Sequence, residues 1–176
     1  MRNVIKTLID RGTNSIKSVD YAHNEIHAWG HYCININKDI TNGWTYNLAF
    51  TTPNSTKWCH MLFGVSCELE ADVILYENIT SFTWGTAVTP INNNRNSANT
   101  SWITNMAFDV TATAGTPTTI AQAVIGSGKN FWWWVRNDSE FVLKANTVYY
   151  MVVTNQATGA SNETNLNLCR YEHTNK

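Results

Sequence analysis

The chain has 176 residues, with 12 Lys and Arg against 13 Asp and Glu, for a net charge of −1. It lacks the basic surplus that suits a protein to nucleic acid or an anionic membrane. No run of about 18 apolar residues is present, so no membrane-spanning helix is expected. Charged residues make up only 14% of the chain, well below the usual ~25%. Asn and Thr fill the gap. Thr suits strand faces and Asn suits turns, so the composition already points to an all-β protein. The length suits one domain, or one domain with an arm, and needs no staples to bury a core.

In chain order, Val4, Ile5, Leu8 and Ile9 recur at helical spacing between Arg2 and Asp10. A helix this short is marginal on its own. Residues 1–22 are therefore expected to form an N-terminal arm or short helix that reaches a neighbouring subunit. Residues 23–176 are expected to form a single domain. Met1–Asp10 lacks the 7–15-residue apolar core of a signal peptide, so the chain is expected to be made and kept in cytoplasm.

Strand signals begin at His31–Lys38. They continue at Gly43–Phe50, where Trp44, Tyr46, Leu48 and Phe50 alternate with Thr45, Asn47 and Ala49. Thr52-Pro53-Asn54-Ser55 reads as a turn. Trp58–Glu68 is a long strand with Cys59, Met61, Phe63, Val65 and Cys67 on one parity, and Gly64 as a possible bulge. Asp72–Glu77 follows. Trp102–Thr111, Thr118–Ile125, Glu140–Lys144, Val148–Thr154 and a last strand with Leu166, Leu168 and Arg170 on one face complete about nine. Turns every 8–15 residues and no helical span indicate an antiparallel sandwich or barrel.

Between Asp72–Glu77 and Trp102 lies Thr89–Ser101. From Asn92 to Ser101 its only aliphatic residue is Ala98, and Arg95 is its only charge. Neither helix nor strand periodicity can be built from it. Asn, Ser and Thr side chains bond to nearby backbone, so an ordered, self-hydrogen-bonded loop is expected. A solvated linker is the competing reading.

Candidate chemical sets are sparse. His23, His27 and His31 are spaced i, i+4, i+8, but Gly30 interrupts the last turn and His31 opens a strand, so ordinary polar contacts are expected over a metal site. Glu68 and Glu70 share a strand parity as a glycosidase pair might, but like charges at a strand end usually face solvent. Gly126-Ser127-Gly128-Lys129 lacks the spacing of a phosphate loop, and no nucleophile elbow occurs. No catalytic set, cofactor or metal is expected. Among Cys33, Cys59, Cys67 and Cys169 there is no C-x-x-C pair. Cys59 and Cys67 fall ~26 Å apart on one extended strand, and free buried thiols are expected throughout.

Phe131-Trp132-Trp133-Trp134-Val135 is the anomaly. Consecutive strand residues face opposite ways, so at least one ring leaves the monomer's core unless both faces are covered. The rings could fill a loop-covered core, pack at a subunit or partner interface, or form a stacking platform for sugars. Tryptophan's frequency at interface hot spots favours the second.

Several stretches carry a family resemblance over nearly the whole chain. They are Leu8-Ile9-Asp10-Arg11-Gly12-Thr13, Leu48-Ala49-Phe50-Thr51-Thr52-Pro53, Ile74-Leu75-Tyr76-Glu77, Pro90–Ser101, Ile125–Lys129, Glu140–Lys144 and the closing Tyr171-Glu172. The chain resembles a family of small virion proteins of tailed bacteriophages, the head decoration (cement) and virion structural proteins. The run Asn94-Arg95-Asn96-Ser97…Asn99-Thr100-Ser101 is the most specific part. The aromatic run after Lys129 departs from the Gly- and Ser-rich sequence expected there. The resemblance implies a jelly-roll-like antiparallel β-sandwich and a structural, non-enzymatic role on the capsid surface. The expected partners are the phage major capsid protein and further copies of the chain, as a homotrimer. Val4, Ile5, Leu8, Ile9, Arg95, Trp132, Trp133 and Trp134 are the expected contact residues. A carbohydrate-binding, lectin-like module on the virion or tail is the alternative.

Overall fold

The computed structural model describes residues 26–28, 30–83, 85–113, 115–126 and 140–174, and the backbone of 134–135. Among the described residues, fourteen strands and one short helical stretch at 26–27 make up the regular structure. In chain order the strands are β1 (His31–Ile40), β2 (Thr45–Thr51), β3 (Lys57–Cys67), β4 (Ala71–Glu77), β5 (Ser81–Thr83), β6 (Thr86–Ala87) and β7 (Ile91–Asn92). Then come β8 (Met106–Phe108), β9 (Thr111–Thr113), β10 (Thr118–Ile125), β11 (Trp134–Val135), β12 (Phe141–Leu143), β13 (Val148–Asn155) and β14 (Asn162–Thr174).

Two antiparallel sheets pack as a sandwich. One runs β11-β3-β14-β1-β7, with β12 also pairing β3; the other runs β10-β4-β13-β2-β8-β6. A small ribbon of β5 and β9 forms a separate sheet. One set of pairings is nested: β1 with β14, β2 with β13, β3 with β12 and β4 with β10, while β3 also pairs with β14 and β4 with β13. Strands β1 to β4 thus enter the two sheets alternately, as do β10, β12, β13 and β14.

Alternation explains which faces meet. Tyr46, Leu48 and Phe50 of β2, Val73 and Leu75 of β4, and Tyr149, Met151 and Val153 of β13 are buried on one inner face. Met61, Phe63 and Val65 of β3 oppose them, with Leu166 and Leu168 of β14 and Ile34 of β1. Each such side chain is worth about 1.5–3 kcal/mol on burial, so the shared core dominates stability. β13 lies between β4 and β2, in keeping with its apolar sequence.

Three expectations need correction. Cys33 and Cys169 form a disulfide; only Cys59 and Cys67 are free and buried. The two bonded residues are 136 apart in sequence, but the β1–β14 register sets them directly opposite. Gly64 carries no bulge: β3 pairs with β14 without slip from Lys57 to Cys67. The register shift instead falls in β10, between Thr119 and Ala121. Trp102–Thr111 is not one strand. Asp109 takes a left-handed backbone (φ 53°), its N–H donates to the Asn47 carbonyl, and the Asn47 side chain accepts from the Val110 N–H. The chain therefore turns out of the large sheet at Asp109.

Candidate functional site: a neutral loop and an aromatic–histidine cluster at one end of the sandwich

The Asn-rich loop leaves β7 beside the start of β1 and is ordered by its own side chains. Asn92 Oδ1 accepts from the Asn94 N–H (2.9 Å), Asn94 Oδ1 from the Asn96 N–H (3.2 Å), and Ser97 Oγ from the Asn99 N–H (3.1 Å). The Ser97 N–H donates to the Asn94 carbonyl, and the Tyr32 hydroxyl donates to the Thr100 carbonyl at 3.0 Å. These short-range bonds are those the composition predicts.

The far end of the loop is anchored more deeply. Arg170 and Glu172 continue the inner parity of Leu166 and Leu168 on β14, so both point into the end of the sandwich. Their side chains are 0% and 3% exposed and paired at 2.9 Å. Glu172 Oε1 also accepts from the Ser101 hydroxyl (2.7 Å), and its Oε2 from the Trp102 N–H (2.8 Å). Arg170 Nη2 donates to Ser101 Oγ and to the Ile103 carbonyl. A buried ion pair persists only with its lone pairs and protons engaged. Here the loop's exit supplies partners for both Glu172 oxygens and for Arg170 Nη2, while Arg170 Nη1 is buried without a hydrogen-bond partner. Between the loop and the segment from Val88 to Ile91 lies a cavity of about 600 Å³, with Arg95, Asn92 and Ser101 in its wall. Arg95 Nη1 donates to the Asn92 carbonyl at 3.5 Å.

The outer face of the same rows carries a second feature. The register sets Tyr171 opposite His60 and His173 opposite Trp58. The Tyr171 ring stacks on His60 (centroids 4.5 Å), His173 on His60 (5.0 Å), and Trp58 lies against His60 at 6.4 Å. Glu140, just before β12, receives the Tyr171 hydroxyl on Oε2 and faces His60 Nδ1 with Oε1 at 2.6 Å. His60 Nε2 and His173 Nε2 are 3.0 Å apart. Farther along this face, Asn167 and Asn165 donate across the sheet to Asn35 and Asn37.

At the opposite end, Trp44 is 69% exposed beside a cleft of about 420 Å³ that Lys38, Asp39, Asn47 and Asp109 also line. Lys38 Nζ bonds Asp109 Oδ2 at 2.7 Å and lies over the Tyr46 and Phe108 rings.

Of the expected contact residues, Arg95 stands in the ordered loop. Val4, Ile5, Leu8, Ile9, Trp132 and Trp133, like the proposed arm 1–22, lie outside the described residues. Trp134 is placed by its backbone alone, opposite Val65 at the edge of β3. His23 also lies outside the described residues, His27 is exposed in the short helical stretch, and His31 is buried at the start of β1. Glu68 and Glu70 are exposed. Sequence reasoning missed the His60–His173–Glu140 cluster. Its members are 80 and 113 residues apart, and only strand register joins them. The one local signal was His60 on the outward parity of a long apolar strand.

No protein-family model matches the chain, and a search of curated proteins returns no match.

Proposed function

We propose that the chain is a capsid decoration (cement) protein of a tailed bacteriophage, a jelly-roll-like, non-enzymatic molecule that binds the outer head surface and bridges major capsid subunits. The observation that carries this reading is the anchored loop. The stretch most specific to the family resemblance is an ordered, nearly uncharged projection seated on a buried ion pair. Such a surface docks on protein with little desolvation of ions and little ordering entropy. The nested strand pairings support the jelly-roll form. The Cys33–Cys169 bond fits a chain made in the host cytoplasm that works outside it, since disulfides persist in oxidising surroundings. Assembly as a homotrimer would raise the effective concentration of each docking loop at a capsid seam.

The test adds purified chain to heads that lack it and measures bound copies per head and the temperature of DNA release. The proposal expects saturable binding at a fixed stoichiometry, a higher release temperature, and weaker binding by Arg95→Ala. Failure to bind mature or expanded heads overturns it.

Trp44 supports a second reading, a carbohydrate-binding module. An exposed indole beside Lys38, Asp39 and Asp109 combines a stacking face with polar groups that fix orientation. Saccharide-dependent quenching of tryptophan fluorescence, lost in Trp44→Ala, would favour it over decoration.

A further inference from the structure

The outer-face cluster has a proton count that its neighbours impose. A carboxylate and a backbone carbonyl only accept hydrogen bonds. His60 Nδ1 faces Glu140 Oε1 at 2.6 Å, and His173 Nδ1 faces the Thr174 carbonyl at 3.2 Å. Each Nδ1 therefore carries hydrogen. In a neutral imidazole that leaves the lone pair on Nε2. Yet the two Nε2 atoms face each other at 3.0 Å. Two lone pairs at that distance repel unless something positive is shared between them. The sharer is either a proton, which makes one ring an imidazolium, or a metal ion.

The surroundings suit the metal ion. A metal-ligating histidine characteristically donates its other ring N–H to a carboxylate or a backbone carbonyl, which fixes tautomer and orientation. One partner of each kind is present here. With metal–nitrogen bonds of ~2.0–2.1 Å, a 3.0 Å separation gives an angle of about 91–97° at the ion, close to that of adjacent ligands in tetragonal or octahedral coordination. Both histidines sit on paired strands, β3 and β14, whose register holds them as diagonal neighbours. Stacking on Tyr171 and Trp58 restrains the His60 ring.

We propose that His60 and His173 bind one divalent transition-metal ion between their Nε2 atoms, with Glu140 as the positioning residue for His60. Among the described residues no group of three or more His, Cys, Asp and Glu is arranged to hold a metal ion, so the two imidazoles are the ligands that the described residues supply. Imidazole ligation selects Zn²⁺, Ni²⁺ or Cu²⁺ over Mg²⁺ or Ca²⁺. The ion would clip β14 to β3 beside the Glu172 anchor of the Asn-rich loop. The inference does not depend on the decoration reading.

The test is calorimetric titration of the full chain, stripped with chelator, with Zn²⁺ and with Ni²⁺ at pH 7.5. One saturable site per chain is expected. His60→Gln and His173→Gln should each weaken it at least ten-fold, and Glu140→Gln by about 10–100-fold, the usual effect of removing such a support. His27→Gln should leave it unchanged. Nitrogen-15 imidazole spectra of the parent protein give a second readout that needs no variant: Zn²⁺ should shift two Nε2 signals and leave their Nδ1 partners protonated. Absence of saturable binding at millimolar ion, binding that both histidine variants retain, or spectra that show only a proton shared between the rings would each overturn the proposal.

Discussion

Glu172→Gln is the sharpest probe of the loop anchor, because it keeps shape and removes one acceptor and one charge. Glu172 accepts from Ser101 Oγ at 2.7 Å and Arg170 Nε at 2.9 Å on one oxygen, and from the Trp102 N–H at 2.8 Å on the other. In the better amide orientation the carbonyl oxygen keeps Ser101 and Arg170. The new NH₂ then faces the Trp102 N–H, donor against donor. One charge-assisted bond, worth about 1.5–3 kcal/mol, is lost. Arg170, 0% exposed, also keeps its charge without a counter-charge. Breaking a buried pair from one side typically costs ~3–5 kcal/mol. At about 2–4 °C per kcal/mol for a domain of this size, the melting temperature should fall by about 6–20 °C. Urea unfolding followed by circular dichroism gives the free energy, and amide exchange at Trp102 reports whether the loop has come loose. The double variant Arg170→Met/Glu172→Leu removes both charges and should recover most of the loss. A Glu172→Gln protein within about 1 kcal/mol of the parent, with Trp102 still protected, would refute the anchor.

Three further outcomes follow from the same structure. Thiol titration in denaturant should find two reactive thiols without reductant, Cys59 and Cys67, and four after reduction; breaking the Cys33–Cys169 link, which spans 136 residues, should cost about 2–5 kcal/mol, and four thiols at the outset would contradict the bond. A Cβ on Gly85 would lie 1.9 Å from the Phe108 carbonyl oxygen, whereas one on Gly43 meets nothing within 4 Å. Gly85→Ala should therefore destabilise by at least the ~1–3 kcal/mol of ordinary overpacking, and Gly43→Ala only by the ~1–2 kcal/mol of its left-handed backbone (φ 71°); equal melting temperatures would sink this reading. Burial pushes the Cys59 thiol and the Tyr149 phenol up to about 12, while in the unfolded chain they ionise near ~8.5 and ~10. Between these limits the unfolded state binds fewer protons, so stability should fall as pH rises from about 8.5 towards 12; a flat urea midpoint over that range would argue against buried, protonated groups.

The all-β class was legible because alternation is local: Tyr46, Leu48 and Phe50 announce one face of a strand without reference to anything distant. The self-bonding of Asn92–Ser101 was legible for the same reason, since Asx turns reach only two residues along the chain. Even Arg170 was placed on the parity of Leu166 and Leu168. What that parity meant was not legible. A charged residue in line with two leucines reads as the frayed end of a face until Glu172, Ser101 and Ile103 arrive to make it a buried anchor. The Cys33–Cys169 bond and the His60–His173 pair depended wholly on the β1–β14 and β3–β14 registers. Register is set by which faces the core must bury and which turns close each hairpin, summed over the whole sandwich. No window of sequence holds that sum. Local backbone chemistry therefore decided what each segment is, and the packing of two sheets decided which distant side chains meet.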